Sequence, residues 1–222
     1  MKDFSQQLSS SVTVWRWLLI LGGLFWLGLM LLLHVQSLFP IGDLTRDPAA
    51  IAHHPPFFGA LSNLGILLWS ASAAMCFLSA ALLNIIAPAS DARLFFLVFA
   101  VLSTVLCLDD TFLLHESILP NRLPVVRIPE DVVVLSYVVA LLGAIVRVRR
   151  LILSTPVWLL GVSLGLFAIA AGLDYVLPSG HISEDGFFLI EDGFKLLWIF
   201  GWLAYFLRAS VDLVVAAVKS HA

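Results

Sequence analysis

Six apolar stretches punctuate this chain, at about residues 12–38, 57–86, 93–119, 131–148, 156–178 and 185–208. A helix needs about 20 apolar residues to cross the hydrocarbon core of a bilayer, and each stretch comes close to or exceeds that length. The sequence therefore predicts an all-α fold, a polytopic bundle of six transmembrane helices forming one domain over residues 1–222. Composition agrees: hydrophobic residues make up 61% of the chain, charged residues 12%, and mean hydropathy is +1.03. A soluble domain is about half apolar and about a quarter charged.

Turn chemistry separates the spans: Pro40, Pro55-Pro56, Pro88, Pro120, Pro124, Pro129, Pro156 and Pro178-Ser179-Gly180. The connections are short, so sequential helices are expected to run antiparallel, with no soluble domain between them. The first stretch is too long for a cleaved leader, and no small-residue cleavage site follows it, so it is expected to remain as a signal anchor. Cys76 and Cys107 both lie in apolar segments and read as small buried hydrophobes rather than a disulfide or metal pair. A net charge of −3 speaks against a nucleic-acid partner.

Basic residues set orientation. Lys2, Arg16, Arg93, Arg147, Arg149, Arg150, Arg208 and Lys219 fall on one side, and only Arg46, Arg122 and Arg127 on the other. Both termini are thus expected in the cytoplasm. Trp15, Trp17, Trp158 and Trp202 are then expected at the cytoplasmic interface.

Two strings break the apolar pattern: DDTFLLHE, Asp109 to Glu116, and EDGFFLIEDGFK, Glu184 to Lys195. A charge at membrane depth costs on the order of 2.5–3.5 kcal/mol on insertion scales, so such residues are rare and usually functional. The third span runs outward and the sixth inward, which brings both strings to the outer half. At 1.5 Å per residue, Asp109 and Lys195 lie about 15 Å inside the outer boundary, and Glu116 and Glu191 roughly 6–9 Å inside. Asp174, His34 and Asn63 lie at outward helix ends.

Residues seven apart share a helix face. Asp109 and Glu116 form one such pair, and Glu184 with Glu191 and Asp185 with Asp192 form others. On that geometry Asp109 with Glu116 is the core of the site, Asp110 or His115 the third member, and Lys195 a partner for Glu191 or Asp192. Asp109, Asp110, Glu116, Asp174, Glu191 and Asp192 face one fixed positive charge, Lys195, and one histidine. Crowded carboxylates must bind cations, take up protons or stand in water.

The reading with most chemistry is a metal site: Asp109, Glu116 and Glu191 as ligands of a divalent metal ion, His115 or Asp110 as general base or further ligand, and Asp174, Asp192 and Lys195 in support. Oxygen-rich sites suit Mg²⁺, Mn²⁺, Ca²⁺ or non-haem iron. The plainer competitor is an ion-pair network that locks the third span to the sixth. Glu184 and Asp185 also suit the N-terminus of the sixth helix, and His53, His54 and His181 read as solvated loop residues. The small residues Gly161, Gly165, Ala168 and Gly172 in the fifth span predict a close helix contact. The fourth span carries no charge from Val132 to Val146 and is expected to face lipid. No nucleotide-binding, HExxH, CxxC or GxSxG motif is present.

The pairing of DDTFLLHE with EDGFKLLW, followed by Trp202 to Arg208, resembles uncharacterised bacterial six-helix membrane proteins. The likeness covers the third and sixth spans and implies a multi-pass protein of the bacterial inner membrane, without assigning an activity. A fainter likeness is to the CREST membrane hydrolases, such as alkaline ceramidases, which gather intramembrane Asp and His around zinc. This chain lacks their HxxxH pair in a late helix, so their residues do not carry over.

Three functions compete. The first is a metal-dependent membrane enzyme, a hydrolase before an oxidase, acting on a lipid-like or amphiphilic substrate, with membrane lipids as its partners. The second is a proton- or cation-coupled transporter or channel, weakened by inner helix halves with no matching polar residue beyond Asn84. The third is a non-catalytic subunit or assembly factor.

Overall fold

A computed structural model describes residues 2–122, 127–176 and 184–221, and among them every regular element is helical. One compact unit, Met1–Phe58, holds α1 (Lys2–Val35), α2 (Ile41–Thr45) and α3 (Pro48–Ile51). The chain turns after α1 because Gln36 binds the backbone around it. Its Oε1 accepts from the N–H groups of Leu38 and Phe39 at 3.0 Å each, and its Nε2 donates to the Phe39 carbonyl at 2.8 Å. Asp47 starts α3 by accepting from the Ala50 N–H at 3.1 Å, with Pro48 preset for the first turn.

The second unit, Gly59–Ala222, holds α4 (Ala60–Ile86), α5 (Asp91–Phe112), a π-helical segment (Leu114–Arg122), α6 (Glu130–Ile152), α7 (Val157–Val176) and α8 (Glu184–His221). Among the described residues four helical stretches are long and apolar enough to cross a membrane: Ala60–Ile86, Asp91–Phe112, Glu130–Ile152 and Gly186–Ser220. Leu19–Val35 and Val157–Leu173 are shorter apolar helices.

α4 is the centre of this unit. Its buried face reads Gly65, Trp69, Ser72, Ala73, Cys76, Ser79, Ala80 and Leu83, a three-four helical spacing filled mostly by small residues. Small side chains let backbones approach, which is how helices gain van der Waals contact where lipid is as apolar as leucine. α5 and α8 pack on this face. They meet each other through large rings: Phe99 lies 5.6 Å from Trp202 and 4.9 Å from Phe206, centroid to centroid. Phe95, Phe96, Phe99, Trp202, Tyr205 and Phe206 are fully buried.

Polar groups inside this core are paired. The Trp202 indole donates to Ser103 Oγ at 3.0 Å, Ser79 donates to Ser210 at 2.8 Å, and Thr155 and Tyr205 share a hydrogen bond of 2.8 Å. Trp202 is thus a core residue and not the interfacial belt residue expected from its position. Its N–H finds a buried acceptor, so it has no need of the interface. Trp158 is 66% exposed, as a belt residue would be, and the side chains of Trp15 and Trp17 lie outside the described residues.

The close approach of α7 to α8 also differs from expectation. Nothing described lies near the missing side chains of Gly161, Gly165 or Gly172. Contact comes instead at Gly201, where an added Cβ would sit 3.1 Å from Ser163 Cβ. Ser163 faces α8 because its hydroxyl donates to the Trp198 carbonyl at 2.8 Å, and that bond fixes which face of α7 turns inward. α6, as expected, presents apolar residues outward: Val132, Leu135, Val139, Leu142 and Val146 are all exposed.

Gly201→Leu is expected to lower the thermal unfolding temperature in detergent, by overpacking worth about 1–3 kcal/mol. Gly161→Leu and Gly165→Leu are expected to leave it nearly unchanged. Equal losses at all three positions would contradict the packing described.

Candidate functional site

α5 begins with Ser90 as N-cap, its hydroxyl accepting from the Ala92 N–H at 3.2 Å. The helix ends where Leu113 takes the left-handed conformation, φ 51° and ψ 48°. That is an uncommon setting for a branched non-glycine residue, and it carries strain. Beyond it the backbone resumes as a π-helical turn, with Ile118 N–H bonded to the Leu113 carbonyl at 3.1 Å.

The break changes which side chains meet. On an unbroken helix Asp109 and His115 would point about 120° apart, and Asp109 and Glu116 would share a face. Here the chain folds back so that the backbone N–H of His115 donates to Asp109 Oδ1 at 3.0 Å, and His115 Nδ1 bonds Asp109 Oδ2. The phenol of Tyr137, from α6, donates to Asp109 Oδ1 at 2.9 Å. Asp109 is buried and holds all three contacts. Glu116 is exposed instead, its Oε1 3.5 Å from His115 Nε2. The expected Asp109–Glu116 pairing by heptad spacing is therefore replaced by an Asp109–His115 pairing, and the cause is the change of helix type at Leu113.

A carboxylate accepts only, so the Asp109–His115 contact puts the imidazole proton on Nδ1 when the ring is neutral. Nε2 is then the basic atom.

Asp110 belongs to a second pairing. Its Oδ1 is 3.3 Å from Lys195 Nζ, and its Oδ2 accepts from the Trp69 indole at 3.0 Å. Lys195 was expected against its own helix neighbours Glu191 or Asp192. The close ion pair reaches across to Asp110 of α5 and joins the two charged strings, while Asp192 adds a longer-range attraction.

Both pairings line one cavity of about 200 Å³, together with Glu191. The rest of its wall is apolar: Leu102 and Leu106 from α5, Val138 and Leu141 from α6, Phe167 and Ala171 from α7, and Trp198 and Trp202 from α8. Asp110 and Lys195 also line a neighbouring cavity, with Glu116 and Asp192. Among the described residues every buried side-chain nitrogen or oxygen has a hydrogen-bond partner, and no group of three or more His, Cys, Asp or Glu is arranged to hold a metal ion.

The structure thus gathers Asp109, Asp110, His115, Glu191 and Lys195 around one space, with Glu116 and Asp192 around the next. The side chains of Asp174, Glu184 and Asp185 lie outside the described residues, as does His181. Sequence reasoning missed Tyr137 and Trp69. The tyrosine in the middle of the largely apolar fourth span was a usable signal, because a phenol withdrawn from water needs a partner.

Residues 15–209 match a domain family of unknown function, DUF8692, and the chain belongs to it. No curated protein and no solved structure matches the chain.

Tyr137→Phe removes one donor to Asp109 and leaves the other two. It is expected to cost about 0.5–1.5 kcal/mol of stability. Asp109→Leu leaves both Tyr137 and the His115 N–H without their acceptor and is expected to cost more. Chemical or thermal unfolding of both variants in one detergent checks the order.

Proposed function

We propose that this member of the DUF8692 family is a membrane-embedded enzyme carrying out general-base chemistry on a lipid-like substrate, with His115 as the base. The observation that carries the reading is the Asp109–His115 pairing on the wall of an apolar cavity. Asp109 fixes the ring and its tautomer, Tyr137 fixes Asp109, and Nε2 takes a proton from water or from a substrate hydroxyl. Lys195 lines the same cavity and offers positive charge to an oxygen that becomes negative as a carbonyl is attacked. Asp110 and Trp69 hold Lys195 in position. A hydrolysis of this kind needs a base and an electrostatic partner, and both stand around one space.

The aromatic block along α5 and α8 favours this reading over transport. Phe95, Phe96, Phe99, Trp202, Tyr205 and Phe206 are fully buried and follow the site along both helices. A conduction path needs polar groups on both sides of its binding site, and this stretch offers a ring-packed core.

One observation supports a second reading, in which the same histidine binds a divalent metal. A carboxylate behind one ring nitrogen is the usual orienting contact of a metal-bound histidine, and Glu116 Oε1 stands 3.5 Å from the other nitrogen. His115 and Glu116 would then be ligands and Asp109 their support.

Incubation of the purified protein in nanodiscs with a panel of lipids, read by mass spectrometry, tests the first reading. His115→Gln is expected to lose about 10²–10⁴-fold in turnover, the range of general-base assistance. Activity should fall as the pH is lowered through the histidine titration, because only the neutral ring accepts a proton. Turnover undiminished in His115→Gln would discard the base. Elemental analysis decides the second reading: stoichiometric metal that disappears in Glu116→Gln supports it, and metal-free active protein rejects it.

The membrane arrangement that goes with this reading is six crossings of a bacterial inner membrane, with both termini cytoplasmic and the site in the outer half. Its support is the asymmetry of basic residues. Reporter fusions after Ala222 and within residues 118–127 are expected to report cytoplasm and periplasm respectively; the reverse pattern overturns the orientation.

A further inference from the structure

The cavity beside His115 has more apolar wall than a reacting head group needs, and it borders α6 and α7, which among the described residues meet each other less than either meets its main neighbour. We propose that it is a slot for one acyl chain, filled sideways from the bilayer between α6 and α7, and that the head group of its occupant is amine-bearing or uncharged rather than anionic. The proposal rests on the lipid-like substrate of the preceding section for its chemistry, and on its own observations for the binding.

The first observation is the division of the wall. Leu102, Leu106, Val138, Leu141, Phe167 and Ala171 line the apolar part, while His115, Glu191 and the Asp110–Lys195 pair supply the polar part. That is the outline of an amphiphile. Size then limits how much of it enters. A cavity of about 150 Å³ lined by apolar side chains holds a benzene molecule. The 200 Å³ here suits a segment of one chain, with no room for two side by side.

The second observation is the side on which the cavity opens. α6 leans on α5 and on the π-helical segment, and α7 packs on α8. Among the described residues α6 and α7 have no comparable contact with each other, although both line the cavity. Ala171 is a small, exposed residue on the α7 side of that wall. Val139 and Leu142, next in sequence to the lining residues Val138 and Leu141 of α6, are exposed and apolar. A chain lying in the bilayer meets apolar surface all the way in and keeps its head near Lys195 and His115.

The third observation is charge. Asp109, Asp110 and Glu191 line the cavity against Lys195 and His115. Asp109 already holds the imidazole. Asp110 already holds the lysine at 3.3 Å, so an anionic head would have to compete with it among further carboxylates. A hydroxyl, an amide or an amine meets no such repulsion.

Quenching of tryptophan by bromine acts only at short range, and this gives the test. Replacing Trp15, Trp17, Trp26 and Trp158 by Phe leaves Trp69, Trp198 and Trp202, which are 1%, 9% and 0% exposed. Lipid outside the protein reaches these buried rings poorly, whereas a chain in the slot lies against them. With this variant in detergent micelles, dibromostearylamine is expected to quench most of the emission. Dibromostearic acid should need a concentration at least about tenfold higher, the equivalent of about 1.4 kcal/mol. Ala171→Phe, and Val138→Phe from the opposite wall, should each raise the amine midpoint several-fold while melting like the parent.

No quenching by either probe overturns the slot and leaves the His115 chemistry standing. Equal midpoints for acid and amine overturn the head-group preference, and midpoints unmoved by both blocking variants overturn the route between α6 and α7. Quenching as expected, in a protein that turns over no lipid, upholds the slot and rejects the enzyme reading.

Discussion

Everything at this site depends on how a carboxylate is satisfied inside an apolar bundle. Unpaired, Asp109 would carry a desolvation cost of several kcal/mol. It holds instead a backbone N–H, an imidazole and a phenol. Those three donors come from the break after α5 and from α6, so meeting the needs of one side chain ties the end of α5, the π-helical segment and α6 into one arrangement. Asp110, its neighbour in sequence, does the same in the other direction through Trp69 of α4 and Lys195 of α8. Two adjacent acids on one helix thus cross-link four helices and the segment between them. Neither the small-residue face of α4 nor the aromatic contacts of α5 and α8 would by themselves fix how α6 is rotated.

The strained residue makes this possible. Leu113 in the left-handed region carries a cost that glycine would avoid, and the π-helical turn that follows is of a kind found often at functional sites. The local benefit is visible: without the break, His115 would face away from Asp109. The hydrogen bonds of the turn and of His115 to Asp109 together hold a backbone conformation that no single contact would support.

Much of this was legible in the sequence, for an identifiable reason. Apolar length placed the main helices, although α5 ends at Phe112 rather than 119 and α8 runs on to His221 rather than 208, and the charged side chains announced themselves where charge is costly. Asp109, Asp110, His115, Glu191 and Lys195 were all found that way. Their partners were not. Assigning Asp109 to Glu116 assumed an unbroken 3.6-residue repeat through residue 116, and no glycine or proline near Leu113 warned against it. Pro120 is the nearest such signal and lies inside the π-helical turn. Tyr137 and Trp69 escaped because each sits in a span that looks suited only to packing. Trp202 and the small residues of α7 misled because interface belts and close-packing motifs are statistical tendencies, and here single hydrogen bonds to Ser103 and from Ser163 decided the outcome.

The charge imbalance that drew attention to these strings takes a different meaning once the pairings are known. Counted as a group, the acids demanded a cation. Taken one by one, Asp109 is saturated by hydrogen-bond donors and Asp110 by a lysine and an indole, and the exposed Glu116 and Asp192 stand toward a second space. A network serving only to lock helices would gain nothing from a cavity along its length, since empty space forfeits dispersion contacts. Here the cavity adjoins a histidine whose orientation is fixed by a buried acid. A histidine held by an acid, a lysine held by its neighbour and an apolar recess share a boundary, and that coincidence is the reason to propose a reactive centre rather than a structural lock.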